Sequence, residues 1–343
     1  MERQPMTQSA PRPILAESRA WKTAVAPYQQ PDLRRSLWQI VNTLVPYFLI
    51  WFLMVPAFRI SVWLALPLII LNAGFTVRAF IIFHDCGHGA FFKSRRANEI
   101  VGFITGLVAF TPFFAWRHGH ALHHSASGDL DRRGDGDVWM MTVDEYLASP
   151  RWRRAVYRVY RYPLVLFVIS PLVLFLFVHR IPLKGRKREH RSVWLTNVAL
   201  VMITILMSLL IGFKTYAILQ VSIIGLAAMA GVWLFYVQHQ YEEVYWQRHN
   251  AWDYATAAVE GSSFYKLPKV LQWFTGNIGF HHIHHLSPRI PNYNLEPCHN
   301  ANPELHVEPL TLLQSFKCIR YRLWDEANFR LIGFGELKKI ARA

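Results

Sequence analysis

The sequence predicts an all-α integral membrane protein, with four transmembrane helices paired as two hairpins, interfacial helices, and a cytosolic helical cap that carries its histidines. Three observations carry this prediction. Of 343 residues, 52% are hydrophobic and only 17% charged, and the apolar residues come in runs rather than amphipathic stripes. The histidines gather in three clusters, His84-Asp-Cys-Gly-His88, His120-Ala-Leu-His123-His124 and His281-His282-Ile-His284-His285, each close to an apolar segment. The net charge of +15 includes a dense basic run at 180–191, which separates one apolar pair from the other.

In chain order, residues 1–30 contain Pro5, Pro11, Pro13 and Pro27 and read as a mobile arm ahead of a single domain over 31–343. No cleavable signal peptide is evident, because the basic residues of the first forty flank no apolar stretch. Segments 41–58 and 60–77 are joined by a tight connection, as are 193–213 and 216–238, so hairpins are expected at 41–77 and 193–238. Segment 100–115 is interrupted by Gly102, Gly106 and Pro112, and segment 163–178 by Pro163 and Pro171. If either crossed the bilayer, the histidine clusters would be divided between two compartments, so both are expected to lie in or dip into the interface. Residues 84–192 and 239–343 then form the cap, and the basic run keeps it on the inner side.

An i, i+4 or i, i+3, i+4 spacing stacks imidazoles along one helix face, so each cluster is expected to present ligands to a common point. Eight such nitrogens exceed what one four-coordinate ion uses, and a di-metal site is the natural reading. The clusters lie at or beyond helix ends, which excludes the midplane ligand arrangement of a transporter. Nucleic acid is not implied by the charge, since positive-inside bias and attraction to anionic headgroups account for it. Cys86, Cys298 and Cys318 are odd in number and on the inner side, so no disulfide framework is expected.

The three clusters resemble the H-xxx-H, H-xx-HH and H-xx-HH boxes of the integral-membrane fatty acid desaturases, in their order and their relation to the hairpins. The similarity extends to VWLFYVQHQYEEVY at 232–245, AVEGSSFYKLPKVLQWFTGNIGF at 258–280, LSPRIPNYNL at 286–295 and LWDE at 323–326, which resemble the bacterial, Bacillus-type enzymes acting on membrane phospholipids. It covers residues 30–330. The boxes alone also admit membrane hydroxylases and alkane monooxygenases, and a non-catalytic metal carrier is a third class; the flanking sequence favours desaturase. The resemblance implies an O2-dependent enzyme that introduces a cis double bond into acyl chains of membrane lipids, with two iron ions as cofactor and O2 as co-substrate. The implied location is the bacterial cytoplasmic membrane.

The ligand set so implied is His84, His88, His120, His123, His124, His281, His284 and His285, with His239 in Val-Gln-His-Gln as a ninth. His118 and His282 are offset from the lead histidine of their boxes, which makes hydrogen bonds to the ligands' outer atoms or solvent contact the expectation. Asp85, Glu242 and Asn277 are further candidates around the ligands, and Asp129, Asp131, Glu243 and Glu260 are weighed with them as orienters of imidazoles. Asp135 and Asp137 lie in a Gly-rich run and read as a turn. Some desaturases bring an asparagine near a metal four residues before the helix-end histidine; here that position is Phe235. Aromatic residues such as Trp116, Trp139, Phe264 and Trp273 read as an interfacial belt or as the wall of an acyl tunnel. The chain has neither a haem-binding extension nor a dinucleotide motif, so electrons must come from a soluble donor such as ferredoxin or flavodoxin, for which the basic inner face is a landing site.

Overall fold

A computed structural model describes residues 18–340, apart from positions 135 and 184. Among the described residues, four helices are long and apolar enough to cross a membrane, and they pair in sequence as two hairpins. After a short helix α1 (Ser18–Val25), the first pair is α2 (Leu33–Ile60) and α3 (Val62–His88), turned at Ser61. Ser61 closes α2 through its backbone and opens α3 by accepting from the Trp63 amide, so one residue serves both ends.

These spans are longer than their apolar runs suggest. At 1.5 Å per residue α3 is roughly 40 Å long, against a hydrocarbon core of about 30 Å. The surplus carries His84 and His88 out of the apolar zone in the last turn. That turn ends at Gly89, whose φ of +69° suits a residue without a Cβ. Helix α3 is also the most buried of the four spans.

Next come α4 (Arg95–Val108) and α5 (Phe113–Ala126), bent by 99° at their junction. Two glycines permit the corner. A Cβ on Gly102 would collide with the Phe113 ring, and one on Gly106 would stand 2.6 Å from the Thr111 carbonyl oxygen. Helix α6 (Arg151–Tyr160) and the π turn Val165–Ile169 with α7 (Ser170–Leu176) are bent by 62° in the same way. Neither pair forms one straight span.

The second hairpin joins α8 (Lys187–Ile211) to α9 (Phe213–His239) through Gly212. Helix α8 is the least buried span and turns Val198, Met202, Leu206 and Leu209 outward, as a lipid-facing helix does. Two further helices matter for the site, α10 (His281–Leu286) and α11 (Asn292–Ala301).

One expectation needs correction. The arm at 1–30 is packed from α1 onward, with Trp21 and Val25 buried against Ile283 and Leu295; residues 1–17 lie outside the described residues. The cap, in a mostly helical chain as expected, also has short strands. It contains a three-stranded sheet, β1 (Met141–Thr142) parallel to β4 (Leu323–Asp325) and β4 antiparallel to β5 (Arg330–Ile332). A parallel pair joins β2 (Phe264–Lys266) to β3 (Pro309–Thr311). These strands run two or three residues, too short for an alternating pattern to register in sequence.

The corner between α4 and α5 sets where the second histidine box lies. Gly106→Val should lower the thermal midpoint of the detergent-solubilised protein, since a branched side chain there is worth about 1–3 kcal/mol of overpacking. An unchanged midpoint would show that the corner relaxes freely.

Candidate metal centre

All three boxes meet at one end of the hairpins, and they do so as two groups. His84, His88, His120, His124 and His284 form the first, and His123, His239, His281 and His285 the second; within each, the candidate ligand atoms lie within 4.8 Å of one another. The sequence expectation that each box serves one point is therefore corrected. Pairs four apart (His84 and His88, His120 and His124, His281 and His285) stay together, because four residues nearly complete a helical turn. The residue beside the end of a pair, His123 or His284, is rotated by about 100° and joins the other group. Doubled histidines thus feed two centres from one turn of helix. The groups touch where His124 stacks on His285, with ring centroids 4.1 Å apart.

Hydrogen bonds on the far side of three rings fix which nitrogen faces inward. His84 Nδ1 donates to Asp85 Oδ1 at 3.2 Å, His123 Nδ1 to Asp137 Oδ1 at 2.6 Å, and His239 Nδ1 to the Gly261 carbonyl at 3.1 Å. Carboxylate and carbonyl accept only, so each Nδ1 holds its proton and, in the neutral ring, each Nε2 presents a lone pair. Yet His123 Nε2 and His239 Nε2 stand 3.2 Å apart, and His281 Nε2 lies 3.0 Å from His239 Nε2. In the first group, His120 Nε2 is 3.0 Å from that of His84 and 3.1 Å from that of His124, which is 3.0 Å from that of His284. For His123 and His239 these are two lone pairs, which cannot hydrogen-bond each other. A shared cation resolves the conflict: with metal–nitrogen bonds of about 2.1 Å, adjacent ligands at right angles stand roughly 3.0 Å apart.

Burial keeps these rings neutral. Desolvation and the neighbouring imidazoles push His281, His284 and His285 well below the ordinary histidine range, which leaves them as ligands rather than cations. Five of the nine, His88, His124, His281, His284 and His285, each have a buried ring nitrogen without a hydrogen-bond partner. The donor set and its geometry fit a pair of metal ions.

The supporting residues were only partly foreseen. Asp85 is buried, and its second oxygen accepts from the Asn292 amide at 2.6 Å and side chain at 2.8 Å; Asn292 in turn pairs with Gln39. This chain ties a ligand on α3 to α11 and α2. Asp137, read in sequence as part of a turn, also orients His123. Burial would raise its carboxyl, but the hydrogen bond from His123, the electrostatic pull of His123 and His239 and the Gly134 amide together hold it below the usual range. Its signal was the flanking glycine: Gly136 has φ +82°, and a Cβ there would meet the Gly119 carbonyl and His123 Cβ at 3.1 Å. Position 135 lies outside the described residues.

Other candidates do not reach the groups. His118 is exposed, and His282 is buried in neither group, with its Nε2 3.1 Å from His299 Nδ1. Asn277 is held at φ +59° in the turn before α10 and bonds the Asn292 carbonyl and Gln272. Glu242 is exposed beside the Tyr321 hydroxyl. Asp129 and Asp131 hold Arg132, Arg248 and His249. Phe235 packs its ring on His123 and His239, at 5.0 and 5.3 Å. The end of α9 is further fixed by buried Arg161, which donates to Gln240 Oε1, the Tyr236 hydroxyl and the Tyr321 carbonyl. An apolar wall of Phe80, Phe83 and Trp116 adjoins His84 and His120, with Trp116 stacked on His120 at 4.3 Å.

Comparison with known proteins agrees with this architecture. The family model described as fatty acid desaturase matches residues 61–311, which include all nine histidines. A fatty acid desaturase of Bacillus subtilis is 46% identical over 318 residues, covering 92% of this chain and 90% of the relative. An sn-1 oleoyl-lipid 12-desaturase of Synechocystis is 27% identical over 296 residues, 81% of each chain. An sn-1 acyl-lipid omega-3 desaturase (ferredoxin) of Nostoc is 27% identical over 277 residues, 78% of this chain and 74% of the relative. With its four apolar spans and its paired histidine groups, this oxidoreductase chain belongs to the fatty acid desaturase family.

Proposed function

We propose that the protein is an O2-dependent acyl-lipid desaturase that introduces a cis double bond into acyl chains of membrane phospholipids. Its centre would be two iron ions, one in each histidine group, with electrons from a soluble donor such as ferredoxin or flavodoxin. The observation that carries the reading is the set of inward ring nitrogens at about 3 Å separations, in two groups that are in ring contact. Imidazole suits iron, and bound there the irons would supply the activation of O2 and the removal of hydrogen from unactivated methylenes.

The chain's own residues do the rest. Asp85, Asp137 and the Gly261 carbonyl hold three imidazoles in one tautomer, which keeps Nε2 turned inward. Phe80, Phe83 and Trp116 offer an apolar surface beside His84 and His120, where a methylene chain binds by dispersion and water is excluded. The names of the cyanobacterial relatives, both acyl-lipid enzymes, support a lipid-bound substrate.

Charge supports an inward-facing cap in the bacterial cytoplasmic membrane. The histidine end of the spans carries Arg34, Arg35, Lys187, Arg188 and Arg191, whereas Arg59 and Lys214 are the basic residues near the two tight turns.

Expression in a host lacking unsaturated lipids, followed by mass analysis of its acyl chains, tests the reading. A new double bond is expected, lost on His88→Ala or His285→Ala while membrane insertion persists. Hydroxylated chains in its place would move the enzyme to another reaction of the same chemistry.

Orientation of His123 should matter nearly as much as its ligation. Asp137→Ala should reduce turnover by about 10- to 100-fold, as removal of such a supporting group does. Asp137→Asn keeps an acceptor oxygen and should lose less. Equal activity of Asp137→Ala and the native protein would remove Asp137 from the site.

A further inference from the structure

The outer face of α4, α5 and the start of α8 is strongly basic. Lys93, Arg95, Arg96, Lys187 and Arg188 are exposed there, and Arg117 stands among them. The nearby acids are already engaged. A single oxygen of Glu99 accepts from Arg95 Nε at 2.9 Å and from Arg188 Nη2 at 2.8 Å, and Glu189 caps its own helix by accepting from the Arg186 amide at 2.8 Å. Arg188 lies over the Phe114 ring at 3.8 Å, which fixes its guanidinium instead of leaving it to swing in solvent. Partial burial, with added repulsion from Arg188 and Arg95, lowers the pKa of Arg117.

This patch lies directly behind the metal centre. From Phe114 beneath Arg188, ring contacts run through Phe113 and Phe83 to Trp116, which stacks on His120 at 4.3 Å and meets His84 at 5.7 Å, so a chain of rings leads from the arginines to two candidate ligands. The net charge attracts an anionic partner, and the rings give it a short path for electrons.

We propose that this patch, centred on Arg95, Arg117 and Arg188, docks an acidic soluble one-electron carrier protein that feeds the histidine centre past Trp116. The proposal rests on the desaturase reading. In each turnover two C–H bonds break and one C=C forms; O2, two electrons and two protons join the two hydrogens removed to give two waters. The carrier supplies both electrons in two one-electron steps. Anionic lipid headgroups are the competing occupant, but they make no use of the ring path, and Glu99 holds Arg95 and Arg188 together across two helices as a fixed array.

The test uses the full chain in nanodiscs of neutral lipid, driven either by a reduced acidic [2Fe–2S] ferredoxin or by reduced methyl viologen. Arg95→Glu, Arg188→Glu and the exposed pair Lys93→Glu/Lys187→Glu should each raise the KM for the protein donor by about 10-fold, in line with lost electrostatic steering. Turnover with methyl viologen should stay unchanged, and Arg95→Lys with Arg188→Lys should retain the native KM. Unchanged KM in the Glu variants would overturn the proposal. So would equal loss with both reductants, or a loss that follows the anionic lipid content of the disc, which would assign the patch to headgroups. A native protein that forms no double bond with either reductant would instead sink the desaturase reading, and the docking proposal with it.

Discussion

Ring nitrogens that face each other across about 3 Å, bare lone pairs at His123 and His239, govern this molecule. Water or hydrogen-bond donors would relieve them, but nine imidazoles pack ring against ring and leave little space for either. An uncompensated buried acceptor costs about 1–3 kcal/mol, and several together amount to a large share of a typical folding free energy. A fold that holds them in place asks for cations. The surrounding structure is organised to keep that demand, with carboxylates and a carbonyl on the outer nitrogens and aromatic rings on the flanks.

The spans serve the same end. Helices α3 and α9 each deliver histidine in a last turn beyond the apolar zone, and each is anchored there by polar residues of the cap. Asn292 reaches back from α11 to Asp85, while Gln39 joins from α2. On the other side, Arg161 gathers the end of α9 with the loops at Trp139 and Tyr321. The hairpins therefore set depth and orientation, and the cap sets angle. Neither makes the site alone, which explains why the boxes are spread over some 200 residues of sequence.

Much of this was legible in the chain. Long apolar runs marked four spans because each lipid-facing residue must be apolar, as at Val198 and Met202. Their ends were set short by several residues, since His84–His88 and the polar first turn of α8 continue the helices without hydropathy. The boxes were plain, but their division into two groups was not: whether His123 sides with His120 or with His281 depends on how helices cross. Asp137 was hidden in a Gly-rich run that has the composition of a turn and is one, with a carboxylate aimed inward. Trp21 and Val25 were likewise masked by prolines that suggested an unpacked arm.

The central claim is that two metal ions are held, one by each histidine group. Quantitative metal analysis of the purified, active protein, repeated on single-group variants, tests it most directly. Close to two irons per chain are expected in the native protein, and about one where the second group alone is cut back by His239→Ala with His281→Ala. A folded, active preparation that holds one zinc and no iron would contradict the account.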